Sequence, residues 1–175
     1  MGVINTCTVT NEADAKSRNA IRRFSRKNPH AITVVIGCYS QTSANEVAMV
    51  DGVDYVIGNH NKMNFFDYVS EEKPASPVVV RGKIDREDFS MGQVGEVHFD
   101  QRSNLKIQDG CDFMCSFCVI PFARGRARSR DWSDLFAEVE KMIEKGVREI
   151  VLTGVNLGTY VSEGKNFLNL VEILG

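Results

Sequence analysis

Short apolar runs alternate with stretches of helical periodicity over the first 72 residues. Residues 2–5 form a short run that stops at Thr6, and the nearly unbroken apolar run over residues 32–36 predicts a strand buried on both faces. A third strand is predicted over residues 54–58. Strands of this kind separated by helices are typical of a parallel sheet wrapped by helices.

Three helices are predicted between and after these strands. The first is capped by Asn11 and ended by Asn28-Pro29, and the next two cover about 42–49 and 61–69. The first helix has a buried stripe at helical spacing: Ala13, Ser17, Ala20, Ile21 and Phe24. Its opposite face is basic, with Lys16, Arg18, Arg22, Arg23, Arg26 and Lys27. Such a face is commonly only solvated, with contact to RNA as the alternative.

The pattern changes between residues 73 and 103. The stretch begins with a linker-like segment, has a short apolar run at residues 78–80, and is then polar and acidic over residues 85–95. Few apolar residues that could pack into a core are present, so we predict a connector between two domains.

Residues 104–175 repeat the strand–helix alternation twice. Strands are predicted over residues 105–108 and 149–153, with a helix between them that Asp131 or Ser133 caps and Gly146 ends. A last helix starts near Asn166. This alternation predicts a (β/α) barrel. Only the start of one is present, because a closed barrel needs about 250 residues. The predicted fold class is therefore α/β, with an open parallel sheet over residues 1–72 and the first part of a partial barrel over residues 104–175.

Composition and charge narrow the class of protein. With 43% hydrophobic and 25% charged residues, the chain has the composition of a globular domain. It lacks an apolar run of about 20 residues that could cross a membrane and a recognisable signal peptide, so we expect a cytoplasmic protein with no membrane partner. The net charge of −2 conceals six Lys/Arg against three Asp/Glu in residues 1–50, and five against ten in residues 51–100.

Three of the five cysteines lie in one short segment. Cys111, Cys115 and Cys118 have the spacing C-x3-C-x2-C, with Phe117 before the last. Three thiolates on one loop can hold three corners of a 4Fe–4S cluster, which normally has four cysteine ligands, and they leave one iron open to a substrate or cofactor. The alternative is a structural zinc loop. Zinc sites prefer paired cysteines or Cys/His sets with four closed ligands, and no histidine is near this segment.

The other two cysteines share a different position. Cys7 and Cys38 each come just after a predicted strand. Ligands of open α/β sheets bind at the carboxyl edge of the strands, so two cysteines on this edge form a candidate site together.

The cysteine segment resembles the signature of radical S-adenosylmethionine (SAM) enzymes. Three segments together closely resemble the methylthiotransferases: Asn5-Thr6-Cys7-Thr8, Gly37-Cys38-Tyr39-Ser40, and the cysteine loop followed by Pro121 and Arg124-Gly125. Residues 105–110 and 152–156 are most similar to the branch that acts on threonylcarbamoyladenosine in tRNA.

The resemblance implies ligands and cofactors. Cys111, Cys115 and Cys118 would hold the 4Fe–4S cluster that binds SAM, and Phe117 would face the adenine of SAM. Cys7 and Cys38 match the second and third ligands of an auxiliary 4Fe–4S cluster, whose first ligand has no counterpart. Thr153 and Asn156 would lie near SAM. The resemblance also implies a fragment lacking both ends, inactive by itself. No catalytic residue is assigned.

The same resemblance implies the reaction and the partners. A methylthio group would be added by radical SAM chemistry to C2 of N6-threonylcarbamoyladenosine in a tRNA anticodon loop, with an electron donor such as a flavodoxin or ferredoxin. The alternatives are another adenosine, an aspartate of a ribosomal protein, or a non-catalytic iron–sulfur module.

Four arginines follow the cysteine loop at every second position, from Arg124 to Arg130. At strand spacing they would share one face, where phosphate or the SAM carboxylate could bind. Arg124 is the best candidate because it lies nearest the loop. The alternative is a solvated loop.

Overall fold

The computed structural model describes residues 1–84, 89 and 101–175. The chain divides into two compact units, one of Met1–Asp85 with Met114–Arg124 and the other of Arg86–Phe113 with Gly125–Gly175. The acidic stretch predicted over residues 85–95 lies outside the described residues except for Phe89.

The first unit is built on a sheet of four strands. They are β1 (Gly2–Thr6), β2 (Thr33–Gly37), β3 (Tyr55–Ile57) and β4 (Val78–Val80), and they are parallel and adjacent in chain order. Because all four point the same way, the residues that follow them meet at one carboxyl edge.

Both faces of this sheet are covered, as the apolar run of β2 predicts. Val35 and Val56 face a core that includes Ile21 and Val47. Val34 and Ile57, at alternate positions, face a second core on the opposite side. The period of two in a strand accounts for this division.

Helical segments follow the first three strands of this unit. Helix α1 (Asn11–Lys27) begins where the Thr10 hydroxyl accepts a hydrogen bond from the Ala13 N–H, so Thr10 and not Asn11 is the cap. The helix predicted near residues 42–49 is two short ones, α2 (Cys38–Thr42) and α3 (Ala44–Ala48). Ser43 separates them because its backbone is not helical (φ −130°, ψ 45°). The segment Lys62–Tyr68, predicted as a helix, is a 3-10 helix with a kink at Asn64.

The second unit pairs two parallel strands. They are β5 (Arg102–Lys106) and β8 (Glu149–Thr153), and apolar residues beneath them form one core with helices α5 (Trp132–Glu144) and α6 (Phe167–Leu174). Asp131 caps α5 and Gly146 (φ 82°) follows its end, as predicted.

The remaining elements are short. They are β6 (Gln108–Asp109), α4 (Ile120–Arg124), β7 (Arg128–Ser129), a 3-10 turn at Leu157–Thr159, β9 (Val161–Ser162) and β10 (Lys165–Asn166). The predicted strand over residues 105–108 is therefore interrupted at Ile107. The α/β fold class is confirmed. In the described part of the chain no helix is long and apolar enough to cross a membrane.

Candidate iron–sulfur and cofactor site

The cysteine loop leaves the second unit through a short two-stranded ladder. Strands β6 and β7 pair antiparallel, Gln108 opposite Ser129 and Asp109 opposite Arg128. One step further along the chain, the Cys111 N–H donates to the Gly125 carbonyl at 3.1 Å. The backbone before and after the cysteine loop is thus held together, which keeps Cys111 at the base of the loop.

Gly110 is required at this base. Its φ is +72°, and an added Cβ would lie 2.0 Å from the Arg126 carbonyl oxygen. A larger residue would therefore be strained and would also separate the two arms of the ladder.

The middle of the loop, Met114–Arg124, belongs to the first unit. Here Cys115 and Cys118 form a turn, in which the Cys118 N–H donates to the Cys115 carbonyl at 3.0 Å. Helix α4 follows directly. A C-x2-C pair in such a turn presents both thiols from one tight bend of the backbone.

All five cysteines are free thiols. Cys7 and Cys115 are exposed, and the other three are half-buried. Among residues 1–84, 89 and 101–175, no three side chains of His, Cys, Asp or Glu are grouped closely enough to hold a metal ion. The three thiols of the loop are therefore not gathered in advance, and a bound metal group would have to draw them together, as happens when metal binding is coupled to local folding.

The donor chemistry of the loop fits an iron–sulfur cluster. Its three candidate ligands are thiols, the ligands that such clusters use, and none is held in a disulfide. Between Gly110 and Val119 the backbone is neither helix nor strand. The loop can thus rearrange around a cluster without breaking a regular element.

The carboxyl edge of the first sheet carries the other two cysteines. Thr6 and Gly37 are paired in register, so Cys7 and Cys38 follow neighbouring strands at the same level. Neighbouring strands lie about 4.8 Å apart, which brings the backbones of the two cysteines close together. The two thiols alone do not complete the set of ligands that a cluster normally has.

Gly37 allows the chain to turn from β2 directly into α2. Its φ is +105°, and an added Cβ would lie 2.4 Å from the Thr6 carbonyl oxygen. Only glycine fits both conditions. The close approach also explains how Thr6 and Gly37 can pair so tightly beside the two cysteines.

Tyr39 anchors the helix that begins with Cys38. Its ring lies in the core, and its hydroxyl donates to Glu46 Oε1 and accepts from Arg18 Nη1, each at 2.6 Å. Burial and the hydrogen bond to Glu46 raise the pKa of Tyr39, while Arg18 opposes the shift. The tyrosine therefore stays neutral and fixes the first turn of α2.

The residues predicted to contact SAM lie in both units. Phe117 is 91% exposed, so its ring is open to a ligand. Arg124 ends α4. Thr153 ends β8 with its hydroxyl donating to the Leu105 carbonyl, and Asn156 lies three residues beyond. Their roles toward SAM stay predictions.

Gln108 was missed by the sequence analysis. Its buried side chain accepts hydrogen bonds from the N–H groups of Val155 and Asn156, both at 2.8 Å, and donates to the Gly110 carbonyl. One amide thus ties the segment before Cys111 to the segment that holds Asn156. Gln108 stands between the polar residues Lys106 and Asp109, so its place in the sequence gives no signal of this role.

The arginines from 124 to 130 do not share one face, which corrects the prediction. Arg126 lies beside Asp112, Arg128 pairs with Asp109 at 3.5 Å, and Arg130 has a side chain only 1% exposed. Arg130 is paired with Asp134 and Glu138. A buried arginine between two carboxylates is structural, so a phosphate cannot reach it.

Comparison with known families matches the two parts of the chain separately. Residues 1–58 match the uncharacterized protein family UPF0004, and residues 105–174 match the Radical SAM superfamily. The second match includes the whole cysteine loop.

Curated relatives extend over both parts. A threonylcarbamoyladenosine tRNA methylthiotransferase MtaB of Bacillus subtilis (strain 168) is 39% identical over 98% of this chain and 38% of the relative. The enzyme of the same name from Aquifex aeolicus (strain VF5) is 43% identical over 98% of this chain and 43% of the relative. The chain resembles methylthiotransferases along almost its whole length. The resemblance inferred from the cysteine motifs is thereby confirmed.

A relative named for a different substrate is less similar than these two. The tRNA-2-methylthio-N(6)-dimethylallyladenosine synthase of Clostridium tetani (strain Massachusetts / E88) is 29% identical over 98% of this chain and 39% of the relative. The chain spans about two fifths of the length of the curated relatives that it matches.

Proposed function

We propose that this chain carries the cluster-binding and SAM-binding part of a tRNA methylthiotransferase that modifies C2 of N6-threonylcarbamoyladenosine beside the anticodon. The observation that carries the proposal is the 39–43% identity, over 98% of the chain, to two enzymes named for that substrate. Relatives named for threonylcarbamoyladenosine range from 31 to 43% identity and the dimethylallyladenosine enzyme is 29% identical, so it is the 39% and 43% identities that favour the threonylcarbamoyl branch.

The proposed reaction replaces a C–H bond that acid–base chemistry cannot activate at neutral pH. Cys111, Cys115 and Cys118 would hold the cluster, which together with SAM would supply the radical chemistry. The work of the protein is then orientation: holding cofactor and base in a reactive geometry. The free thiols and the closed base of the loop support this role.

The residues predicted near SAM would have separate tasks. The exposed ring of Phe117 would cover the adenine, and the Arg124 guanidinium would pair with the carboxylate of SAM. Thr153 and Asn156 would line the end of β8, with Gln108 holding the backbone of Asn156 in position. These assignments rest on the motif together with the hydrogen bonds of Gln108.

Cys7 and Cys38 would hold the auxiliary 4Fe–4S cluster, together with a third cysteine. They directly follow Thr6 and Gly37, which are paired in register on neighbouring strands, and this supports a shared site. Because Cys7 follows the end of β1 and Cys38 follows a glycine-dependent turn at the end of β2, the positions of these ligands would be set by the fold.

The basic face of α1 is the best candidate for an RNA contact. Arg22, Arg23, Arg26 and Lys27 line one open groove with Asn19. Within residues 1–84, 89 and 101–175, none of these four cations has a salt bridge, whereas Lys16 pairs with Glu12 and Arg18 with Glu46. Unpaired cations in a row suit the phosphates of an RNA backbone. An anticodon-loop base is already single-stranded, so exposing it costs little.

The proposal includes two further expectations. A low-potential electron donor, such as a flavodoxin or ferredoxin, would reduce the cluster. A tRNA substrate would place the reaction in the cytoplasm.

The test is product analysis. The chain, completed to the length of its relatives and reconstituted anaerobically with SAM and a reductant, is incubated with tRNA bearing N6-threonylcarbamoyladenosine, and the nucleosides are analysed by mass spectrometry. The proposal predicts the mass increase of a methylthio group replacing hydrogen on that nucleoside, abolished by Cys115→Ala. Product on another adenosine or on an aspartate of a ribosomal protein would refute the proposed substrate. A cluster with no product on any of them would favour a non-catalytic module.

A further inference from the structure

Asn59 lies at the same sheet edge as the cysteines of the first unit. Strands β2 and β3 are paired with Ile36 opposite Ile57, so the chain leaves β3 beside the turn that starts α2. Asn59 is two residues past the end of β3 and half-buried. It therefore belongs to the edge that carries Cys38.

The side-chain amide of Asn59 joins two parts of the first unit. Its Nδ2 lies 3.5 Å from the Cys38 sulfur and also donates to the main-chain carbonyl of Ala123 in α4. Both partners are acceptors, which fixes the orientation of the amide, with the nitrogen toward them.

Helix α4 depends on such a contact. It has only five residues, and a helix this short is not stable by itself. The carbonyls of its last turn have no partner within the helix, and Ala123 is almost fully buried. Asn59 satisfies one of these carbonyls from a different part of the chain.

The position of Asn59 is itself fixed. Its backbone N–H donates to Gln41 Oε1 at 2.8 Å, and Gln41 donates in turn to the Gly82 carbonyl at 3.1 Å. At Gly58 an added Cβ would lie 2.3 Å from the same Gln41 oxygen. Gln41 can reach Asn59 only because the preceding residue is glycine.

We propose that Asn59 is a positioning residue that links the Cys38 edge of the sheet to helix α4, which begins two residues after Cys118. One amide group would then hold a ligand of the auxiliary cluster and the end of the SAM-cluster loop in a fixed relation. This inference rests on the proposed function for the identity of the two cysteine sites, but the link itself is a property of the metal-free chain.

The hydrogen bond can be separated from the shape of the side chain. Asn59→Asp keeps the size of the side chain but removes the donor at neutral pH, and it points a carboxylate at the Ala123 carbonyl. Asn59→Ala removes both. The matched control is Asn61→Ala, two residues away, which removes an exposed hydrogen bond to the Tyr68 hydroxyl and does not touch α4.

The first measurement is hydrogen exchange of the metal-free chain. The amides of Phe122 and Ala123, which donate to the Val119 carbonyl, report on α4. Loss of one ordinary hydrogen bond predicts about fivefold faster exchange at these amides in Asn59→Asp and Asn59→Ala. Exchange at the same amides should be unchanged in Asn61→Ala, and exchange in α5 should be unchanged in all three variants. Unchanged exchange in Asn59→Asp, or equal acceleration in Asn61→Ala, would overturn the inference.

The second measurement uses the reconstituted protein. A positioning role predicts that Asn59→Asp lowers kcat for methylthio transfer while the iron content and the KM for RNA stay at the wild-type values. A rise in KM with kcat unchanged would contradict it. If the wild-type protein, completed to the length of its relatives, makes no product, the proposed function fails, whereas hydrogen exchange still decides the link.

Discussion

Gly37 is the residue on which the placement of Cys38 depends most directly. We expect Gly37→Ala to destabilise the chain by about 2 kcal/mol or more, because the new Cβ would meet the Thr6 carbonyl and the residue would keep a positive φ. The measurement is urea unfolding followed by circular dichroism.

Gly146→Ala is the matched control. Gly146 also has a positive φ, of +82°, but nothing lies within 4 Å of an added Cβ. Gly146→Ala should lower the free energy of unfolding only by the cost of the positive φ, about 1 kcal/mol. Equal losses in the two variants would show that the contact with Thr6 is unimportant.

Asp131 gives the second unit a pH dependence. The Ser133 hydroxyl and then the Asp134 N–H donate to its carboxylate, and these hydrogen bonds lower the pKa of Asp131. Because its pKa is lower in the folded state, the Asp131 carboxylate stabilises the folded protein at pH values above its unfolded pKa, about 3.9. This contribution is lost as pH falls through the folded pKa.

Asp131→Ala should therefore lower the free energy of unfolding by about 1 kcal/mol at pH 7. The difference from wild type should shrink as the pH falls below 4. Urea unfolding at several pH values tests this, with Glu140→Ala on the exposed face of the same helix as the control. A difference that stays constant down to pH 3 would contradict the capping role of the charge.

Residues with their own chemical signature could be predicted from the sequence, and residues that act through the backbone could not. The five cysteines were identified by spacing and by their positions after strands. Gln108 and Asn59 were missed because their partners are main-chain groups 47 and 64 residues away. An amide that binds a carbonyl leaves no pattern in the sequence.

At the scale of elements, the basic face of α1 carries the most direct prediction. Reversing Arg22 and Arg26 together to Glu should weaken binding of an anticodon stem-loop RNA, because two cations of the groove would become anions that repel phosphate. The slope of log affinity against log salt should become shallower by about 1 for each phosphate that the protein no longer neutralises. Fluorescence anisotropy at several salt concentrations measures both the affinity and this slope.

Reversing Lys141 and Lys145 to Glu at the end of α5 is the control. It changes the net charge by the same amount and lies in the other unit. If both double variants weaken binding equally, the effect is one of total charge, and α1 is not the binding surface.

Periodicity predicted the elements well where one face is buried, and less well where a short segment is set by contacts. The strands of the first sheet and helices α1 and α5 follow from their apolar patterns. The arginine run shows the limit. Its alternation predicts a shared face, but β7 is only two residues long and Arg130 forms ion pairs with Asp134 and Glu138.

At the scale of the whole molecule, the chain combines two units with cysteines at distinct positions. Cys7 and Cys38 lie at a sheet edge whose geometry the register of β1 and β2 fixes. Cys111, Cys115 and Cys118 lie on a loop that is closed at its base but does not gather the thiols. The sequence indicated the loop site through the spacing of its cysteines and the other site through the positions of Cys7 and Cys38 after predicted strands. It could not indicate that the middle of the loop packs with the first unit, because that depends on contacts far apart in the chain.

The most direct test of the central claim is anaerobic reconstitution of the chain with iron and sulfide, followed by electron paramagnetic resonance with and without SAM. We predict about four iron and four sulfide for the cluster of the cysteine loop. We also predict a signal of the reduced protein that SAM alters and that Cys115→Ala removes. Zinc bound without sulfide, or a cluster signal that SAM leaves unchanged, would contradict the account.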